Sequence, residues 1–157
     1  MNNCLILDGK EVAQASTENL LDRVKKLRDY GRAPRLVAIL VGDDPASATY
    51  VKMKERACHT LGIDTEIKRL SKETDTNELQ QIISDLNNDK TVDGILLQHP
   101  VPKQIDEIKC FNTICLEKDV DGVTTEGYGN MAMGLSAFGS CTPLGIMRIL
   151  NHYKINL

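Results

Sequence analysis

The chain has 157 residues, 41% hydrophobic and 26% charged, with a formal net charge of -3 at neutral pH. That length and balance fit one globular domain with its own core and are short for two ordinary ones. The slight acidity, the lack of a basic tract and the absence of tryptophan argue against a nucleic-acid platform. No apolar run approaches the roughly 18 residues of a membrane span, and "MNNCLILDGKE" lacks the basic and apolar regions of a signal peptide. Cys4, Cys58, Cys110, Cys115 and Cys141 include no C-x-x-C pair. This favours reduced thiols in a cytoplasmic protein over a disulfide or zinc framework.

Helical and strand patterns alternate in chain order. From Lys10 to about Tyr30, Val12, Ala13, Leu20, Leu21, Val24 and Leu27 recur at mostly helical spacing. "RLVAILVG" (35–42) is a β-branched run that predicts a buried strand. Asp44 and Pro45 predict an N-cap and a first-turn proline, opening a helix that Gly62 ends. "IDTEIKRL" alternates as a second strand. Asp75 with Glu78 forms a capping-box pattern and opens a helix to about Asn87. "DGILLQ" predicts a third strand, stopped by the prolines of "HPVP". A short helical piece, "IDEIKCFNTI", precedes the expected loop "LEKDVDGVTTEGYG", and Thr142-Pro143 is expected to cap a last helix. The order predicts a single α/β domain, an open and mostly parallel sheet in three α/β/α layers. Such sheets bind ligands beyond the carboxyl ends of their strands, which directs attention to the loops after "AILVG" and "ILLQ".

In the second helix a lysine stands in an unexpected place. Taking Tyr50 as zero and roughly 100° per residue, Val51, Met53, Ala57, Cys58 and Leu61 define one apolar arc, with Lys54 at roughly 40° inside it and Ser47 beside it. Lys52, Glu55, Arg56 and His59 fall outside. Lys54 either snorkels, its stem on the core and its head in water, or lines a partly desolvated cleft as an acid or base. Tyr50, one turn earlier, is a core tyrosine or a ring for a flat ligand to pack on. Gln98 at the end of the third strand either bonds backbone or orients an amine without adding charge. Asp119 and Asp121 of "KDVDGV" form an Asp-Gly turn or supply a carboxylate to paired N–H donors. A calcium loop would need a glutamate where Asn130 stands, and the three histidines lack H-E-x-x-H spacing, so no metal is expected. "VGDDPAS" is not the G-x-G-x-x-G of a dinucleotide site, and no strand precedes "GYGN".

Together these pieces resemble a known family. "LDGK" (7–10), "LVGDDPASATYVKMKERACHTLGI" (40–63), "DGILLQHPVP" (93–102), "KDVDG" (118–122) and "CTPLG" (141–145) are similar, in order and spacing, to the N-terminal catalytic domain of FolD-type enzymes. These are bifunctional methylenetetrahydrofolate dehydrogenase/methenyltetrahydrofolate cyclohydrolases. The resemblance covers nearly the whole chain and implies the following. The S-x-x-Y-x-x-x-K motif falls on Ser47, Tyr50 and Lys54, with Lys54 the acid/base of the cyclohydrolase step and Tyr50 packed on the folate. Gln98 is bonded to that lysine, while Leu97, His99 and Pro100 help line the folate site. Asp121 holds the pterin, and Cys141 and Thr142 border the cleft between two domains. NADP is the dehydrogenase cofactor, carried by a C-terminal Rossmann-type domain that these 157 residues do not include. The parent enzyme is implied to be a cytoplasmic homodimer. On this reading residues 1–157 are one catalytic domain, which alone binds folate weakly and lacks dehydrogenase activity. The alternative is a non-catalytic folate-binding or interaction domain that keeps the fold. His99, Gly127 and Ser140 depart from the family pattern, which has an apolar residue, an asparagine and a proline there.

Overall fold

The run from Arg35 to Val41 is the central strand because its side chains are apolar on both faces. Val37, Ala38, Ile39, Leu40 and Val41 are all buried, as a strand covered on both sides requires. The computed structural model describes residues 4–157. In chain order they form α1 (Gly9–Asp29), β1 (Arg35–Val41), α2 (Pro45–Leu61), β2 (Asp64–Leu70), α3 (Thr76–Asn88) and β3 (Gly94–Leu97). There follow α4 (Glu107–Phe111), a 3-10 turn (Leu116–Lys118), α5 (Thr125–Ala132) and α6 (Cys141–His152).

The sheet is parallel with order β2-β1-β3. Its register runs from Arg35 opposite Asp64 to Val41 opposite Leu70, and from Leu36 opposite Gly94 to Ile39 opposite Leu97. From β1 the chain moves outward to β2, then returns across β1 to β3. Right-handed crossovers in opposite directions place their helices on opposite faces. Accordingly Val37, Ile39, Val41, Ile95 and Leu97 pack with Leu79, Ile83 and Leu86 of α3. α2 lies over β1 and β2, burying Val51 and Cys58. Each fully buried aliphatic in these layers contributes roughly 1.5–3 kcal/mol. The reversal leaves a crevice between the carboxyl ends of β1 and β3, the usual ligand position in such sheets.

The ends of α2 follow the sequence expectation. Asp44 caps it, its carboxylate accepting the Ser47 N–H at 2.7 Å, and Gly62 closes it at φ 76°, a conformation that favours glycine. Asp75 caps α3 by accepting the Glu78 N–H at 2.9 Å. β2 does not alternate cleanly, because this edge strand is half-buried along most of its length.

Three expectations are corrected. The segment 116–129 is not a loop: it carries a 3-10 turn and the start of α5, whose N-cap is Thr124. "GYGN" therefore lies inside a helix, because the Thr124 hydroxyl accepts the Gly127 N–H and nucleates a turn there. The N-cap of α6 is Ser140, not Thr142, and Pro143 sits in the first turn, where an N–H has no partner to lose. Finally, the apolar arc of α2 is wider than its buried arc. Ser47, Val51 and Cys58 are buried, whereas Tyr50, Met53 and Ala57 are exposed.

Candidate active site

At the crevice, the first turns of α2 meet the end of β3. Lys54 is half-buried and its Nζ donates to Gln98 Oε1 at 3.2 Å. Gln98 itself is fixed from two sides. Its backbone N–H extends the sheet by bonding Ile39 O at 2.9 Å, and its Nε2 donates to His99 O at 2.8 Å. With the amide nitrogen committed to a carbonyl, the amide oxygen must face the lysine. An uncharged acceptor thus orients the amine without pairing it to a carboxylate. Lys52, two residues earlier, is exposed.

A cleft of about 480 Å³ surrounds this pair. α2 and its cap contribute Asp44, Ala46, Ser47, Tyr50 and Lys54, and the end of β3 contributes Gln98, His99 and Pro100. Asp121, Cys141 and Thr142 close it from the far side. Tyr50 is 60% exposed, so its ring forms a wall rather than core. Of the predicted site residues, Leu97 alone is not brought to the cleft. It is 2% exposed and packs in the core beside α3, because successive strand side chains point to opposite faces. Asp44 and Ala46 line the cleft without having been predicted there. The cap motif placed Asp44 at the mouth, yet its capping role masked this second position.

The turn "KDVDG" divides three charges among three tasks. Lys118 Nζ donates to Leu86 O, Asn87 O and Asp89 O at 2.8, 2.8 and 2.7 Å, closing the carboxyl end of α3 where cations are favoured. Asp119 is 1% exposed and spends its oxygens on the N–H groups of Val123 and Thr124, at 3.1 and 2.9 Å. Asp121 is half-buried and lines the cleft. The turn is held against the sheet by the Ile95–Asp119 bridge. Gly122, at φ 65°, lets the chain return closely: a Cβ there would sit 2.8 Å from Phe138 O, Gly139 C and Ser140 N. Ser140 Oγ donates to Gly122 O at 3.1 Å. This approach brings Cys141 and Thr142 beside Asp121.

The Cys141 thiol is shifted upward from its ordinary value, first by partial burial of the sulfur and then by the adjacent Asp121 carboxylate, while Sγ itself donates to Val120 O at 3.7 Å. Lys54 acts in the opposite sense. The residue as a whole remains exposed, and a raised thiol is a poor nucleophile at neutral pH. At Gly127 a Cβ would lie 2.9 Å from Thr124 Oγ1 and 3.1 Å from Asp119 Oδ2; the bare glycine spares the Asp119 knot that crowding. His99 is exposed and meets Phe111 edge-on at 6.3 Å. No group of three or more His, Cys, Asp and Glu among the described residues is placed to hold a metal ion, and no described helix is long and apolar enough to cross a membrane.

The described residues do not fit a dinucleotide. The helix after β1, where a pyrophosphate would dock in a Rossmann unit, is capped by Asp44 and preceded by Asp43. Asp44 already accepts the Ser47 N–H. Two carboxylates and one used donor oppose an anion there.

Comparison with known proteins bears on the family and the fold. Residues 7–121 match the model of the tetrahydrofolate dehydrogenase/cyclohydrolase catalytic domain. The bifunctional protein FolD of Acidobacterium capsulatum is 54% identical over 157 residues, covering 99% of this chain and 56% of that protein. FolD of Teredinibacter turnerae is 55% identical over 156 residues, with 99% and 56% covered. Among solved structures, the FolD methylenetetrahydrofolate dehydrogenase/cyclohydrolase of Campylobacter jejuni superposes with a TM-score of 0.94 at 41% identity. That match covers 96% of this chain and 54% of the other. The Trypanosoma brucei enzyme, solved with NADP cofactor and inhibitor, gives 0.91 at 27% identity, covering 99% and 54%. The chain spans about half the length of the curated relatives it matches. A parallel β2-β1-β3 sheet, a crevice at its reversal point and a matched model over most of the chain lead to one assignment: the chain belongs to the tetrahydrofolate dehydrogenase/cyclohydrolase catalytic-domain family.

Proposed function

We propose that residues 1–157 form the folate-binding catalytic domain of a methylenetetrahydrofolate dehydrogenase/methenyltetrahydrofolate cyclohydrolase, with Lys54 as its acid/base. The carrying observation is the Lys54–Gln98 hydrogen bond at 3.2 Å, with Asp121 lining the same cleft. A pterin offers a ring N–H and an exocyclic amine side by side, and one carboxylate can accept both. Asp121 is the carboxylate free to do so, since both oxygens of Asp119 are occupied. Tyr50 supplies an aromatic wall for the flat ring system or the benzoyl group.

For the cyclohydrolase step, water adds to the bridging carbon of the 5,10-methenyl cation and loses one proton. The bond from that carbon to N5 then breaks, N5 takes up a proton, and the remaining hydroxyl proton leaves as the formyl carbonyl forms on N10. The net products are 10-formyltetrahydrofolate and one proton. Lys54 as amine accepts the water proton, and as ammonium returns it to N5. Gln98 is a positioning residue, holding the amine at the cleft without the permanent countercharge that would lock it protonated. The dehydrogenase reaction needs NADP, for which the described residues offer no site. The isolated chain is therefore expected to show no NADP-dependent turnover. The complete enzyme, on this reading, is a cytoplasmic homodimer whose other half holds the dinucleotide.

The test is hydrolysis of 5,10-methenyltetrahydrofolate by the complete enzyme, followed by absorbance, alongside calorimetric folate binding. Lys54→Met should abolish hydrolysis while retaining binding, and Lys52→Met should resemble the unmodified chain. Equal hydrolysis by the two variants would sink the assignment. Binding without hydrolysis by the complete enzyme would favour the non-catalytic alternative.

A further inference from the structure

The first turn of α2 forms one wall of the cleft through Ala46 and Ser47, so the positive end of that helix borders the ligand space. A helix N-terminus carries roughly half a positive charge. On the folate reading, the reacting group of the cyclohydrolase step is a cation too, its charge spread over N5, the bridging carbon and N10. Lys54 lines the same space and adds positive charge whenever its amine is protonated, as does His99 when its ring is. A wall of this kind repels the ligand that the reaction consumes, unless anionic groups offset it.

Two carboxylates line the cleft, Asp44 and Asp121. On the same reading the pterin engages Asp121, and Cys141 beside it adds no charge near neutrality, its thiol being raised chiefly by burial. Asp44 is placed differently. It is the N-cap of α2, its Oδ2 accepting the Ser47 N–H at 2.7 Å. That bond is the chief reason its carboxyl lies below the ordinary carboxylate value, so the negative charge is kept throughout the neutral range. No ion pair among the described residues neutralises it. Capping alone does not call for a charge, since asparagine and serine cap a helix about as well as aspartate. The charge of Asp44 is therefore surplus to the helix and available to the cleft.

We propose that Asp44 is a specificity residue that draws the cationic 5,10-methenyl folate into the cleft in preference to uncharged folates. This role rests on the folate reading of the cleft. The carboxylate offsets the positive end of α2 and attracts the delocalised cation. The 5-formyl and 10-formyl forms carry no charge at that place and gain nothing from it. Asp44 stays ionised and takes no part in proton transfer. The attraction fades as water adds and the positive charge of the folate is lost, so removing it weakens ground-state binding without slowing the chemical step. Asp44 is exposed, so salt screens the attraction.

The test uses the complete enzyme and compares KM for hydrolysis of 5,10-methenyltetrahydrofolate with Kd for 5-formyltetrahydrofolate, which is uncharged at the ring. Asp44→Asn and Asp44→Ser both keep a capping oxygen. Each should raise KM about three- to tenfold, with kcat not reduced and with the melting temperature and the 5-formyl Kd unchanged. Independently of any variant, preference for the cation should decline in the unmodified enzyme as ionic strength rises from about 0.01 to 1 M, where the screening length shrinks from about 30 to 3 Å. That decline should be smaller in Asp44→Asn. A KM unmoved by either variant would overturn the inference, as would equal weakening of both folates, a fall in kcat, or a preference indifferent to salt. Hydrolysis persisting in Lys54→Met would instead remove the mechanism beneath it. An inactive Lys54→Met together with any of those four results removes only the role of Asp44.

Discussion

At the scale of single residues, the chemistry of the cleft turns on which charges are already spent. Asp119 and Asp121 are two positions apart, yet only one is available to a ligand. Asp119→Ala should cost about 1–3 kcal/mol in urea denaturation, because it strands the buried Thr124 N–H and the half-buried Val123 N–H. Asp121→Asn should leave the unfolding midpoint nearly unchanged and weaken folate binding about tenfold, as an amide cannot accept two donors as a carboxylate does. If instead Asp119 proved the binding residue and Asp121 the structural one, the assignment of the pterin end of the cleft would be reversed. Lys54 and Lys52 illustrate how much a single sequence discloses at this scale. The wheel separated them by direction, but snorkelling and cleft-lining remained equivalent until the Gln98 oxygen was placed 3.2 Å away. Hydrogen-bond partners distant in sequence (44 residues here) cannot be read from periodicity.

At the scale of elements, caps and breakers were legible because they act locally. Asp44, Gly62 and Asp75 end or begin helices through bonds spanning only a few residues. The 116–129 stretch conceals its helix, because α5 starts from a threonine cap and runs through two glycines, residues that weaken helical propensity. Tertiary support from Asp119, which accepts the Thr124 N–H, overrides that weakness. The turn at Gly122 shows the reverse dependence, of tertiary placement on one local conformation. Gly122→Ala should lose more stability than the roughly 1–2 kcal/mol of a left-handed alanine, because its Cβ meets backbone at 2.8 Å. Thermal melts would show the stability loss, and a drop in folate affinity would accompany it if the 138–140 return positions Asp121. Unchanged melting would mean that the 138–140 return is loosely held.

At the scale of the molecule, several carboxylates are held below their ordinary range. Asp93 is lowered chiefly by its hydrogen bond to Arg32, and Asp106 by the backbone N–H and side chain of Lys109. Arg32 grips Asp93 at 2.6 and 2.7 Å, and Asp93 also accepts the Arg35 N–H at 2.8 Å, tying the starts of β1 and β3 together. A depressed folded-state value means that stability is present above the unfolded value and lost as pH falls through the folded one. Unfolding free energy should thus be steady near neutrality and fall below about pH 4, less steeply in Asp93→Asn. A steepness equal in both would remove Asp93 from the account. In the alkaline direction the buried Cys110 thiol is pushed up to about 11 by burial. Its contribution is intact below the ordinary thiol range and declines as pH rises toward that value. Thiol reagents should accordingly modify Cys4 and Cys141, both exposed, long before Cys110, whose labelling should track unfolding.

The alternation of apolar runs and caps was enough to determine the α/β class, the three strands, α1 to α3 and the two loops that meet at the crevice, since each rests on spacing within one element. Its motif set also determined the family. Only the tertiary structure decided that Leu97 faces the core rather than the cleft, and that Asp44 borders the site it caps. It also separated the roles of Lys118, Asp119 and Asp121. Each of these depends on which face of an element meets which neighbour. That choice is made by packing between residues far apart in the chain, where local periodicity carries no information.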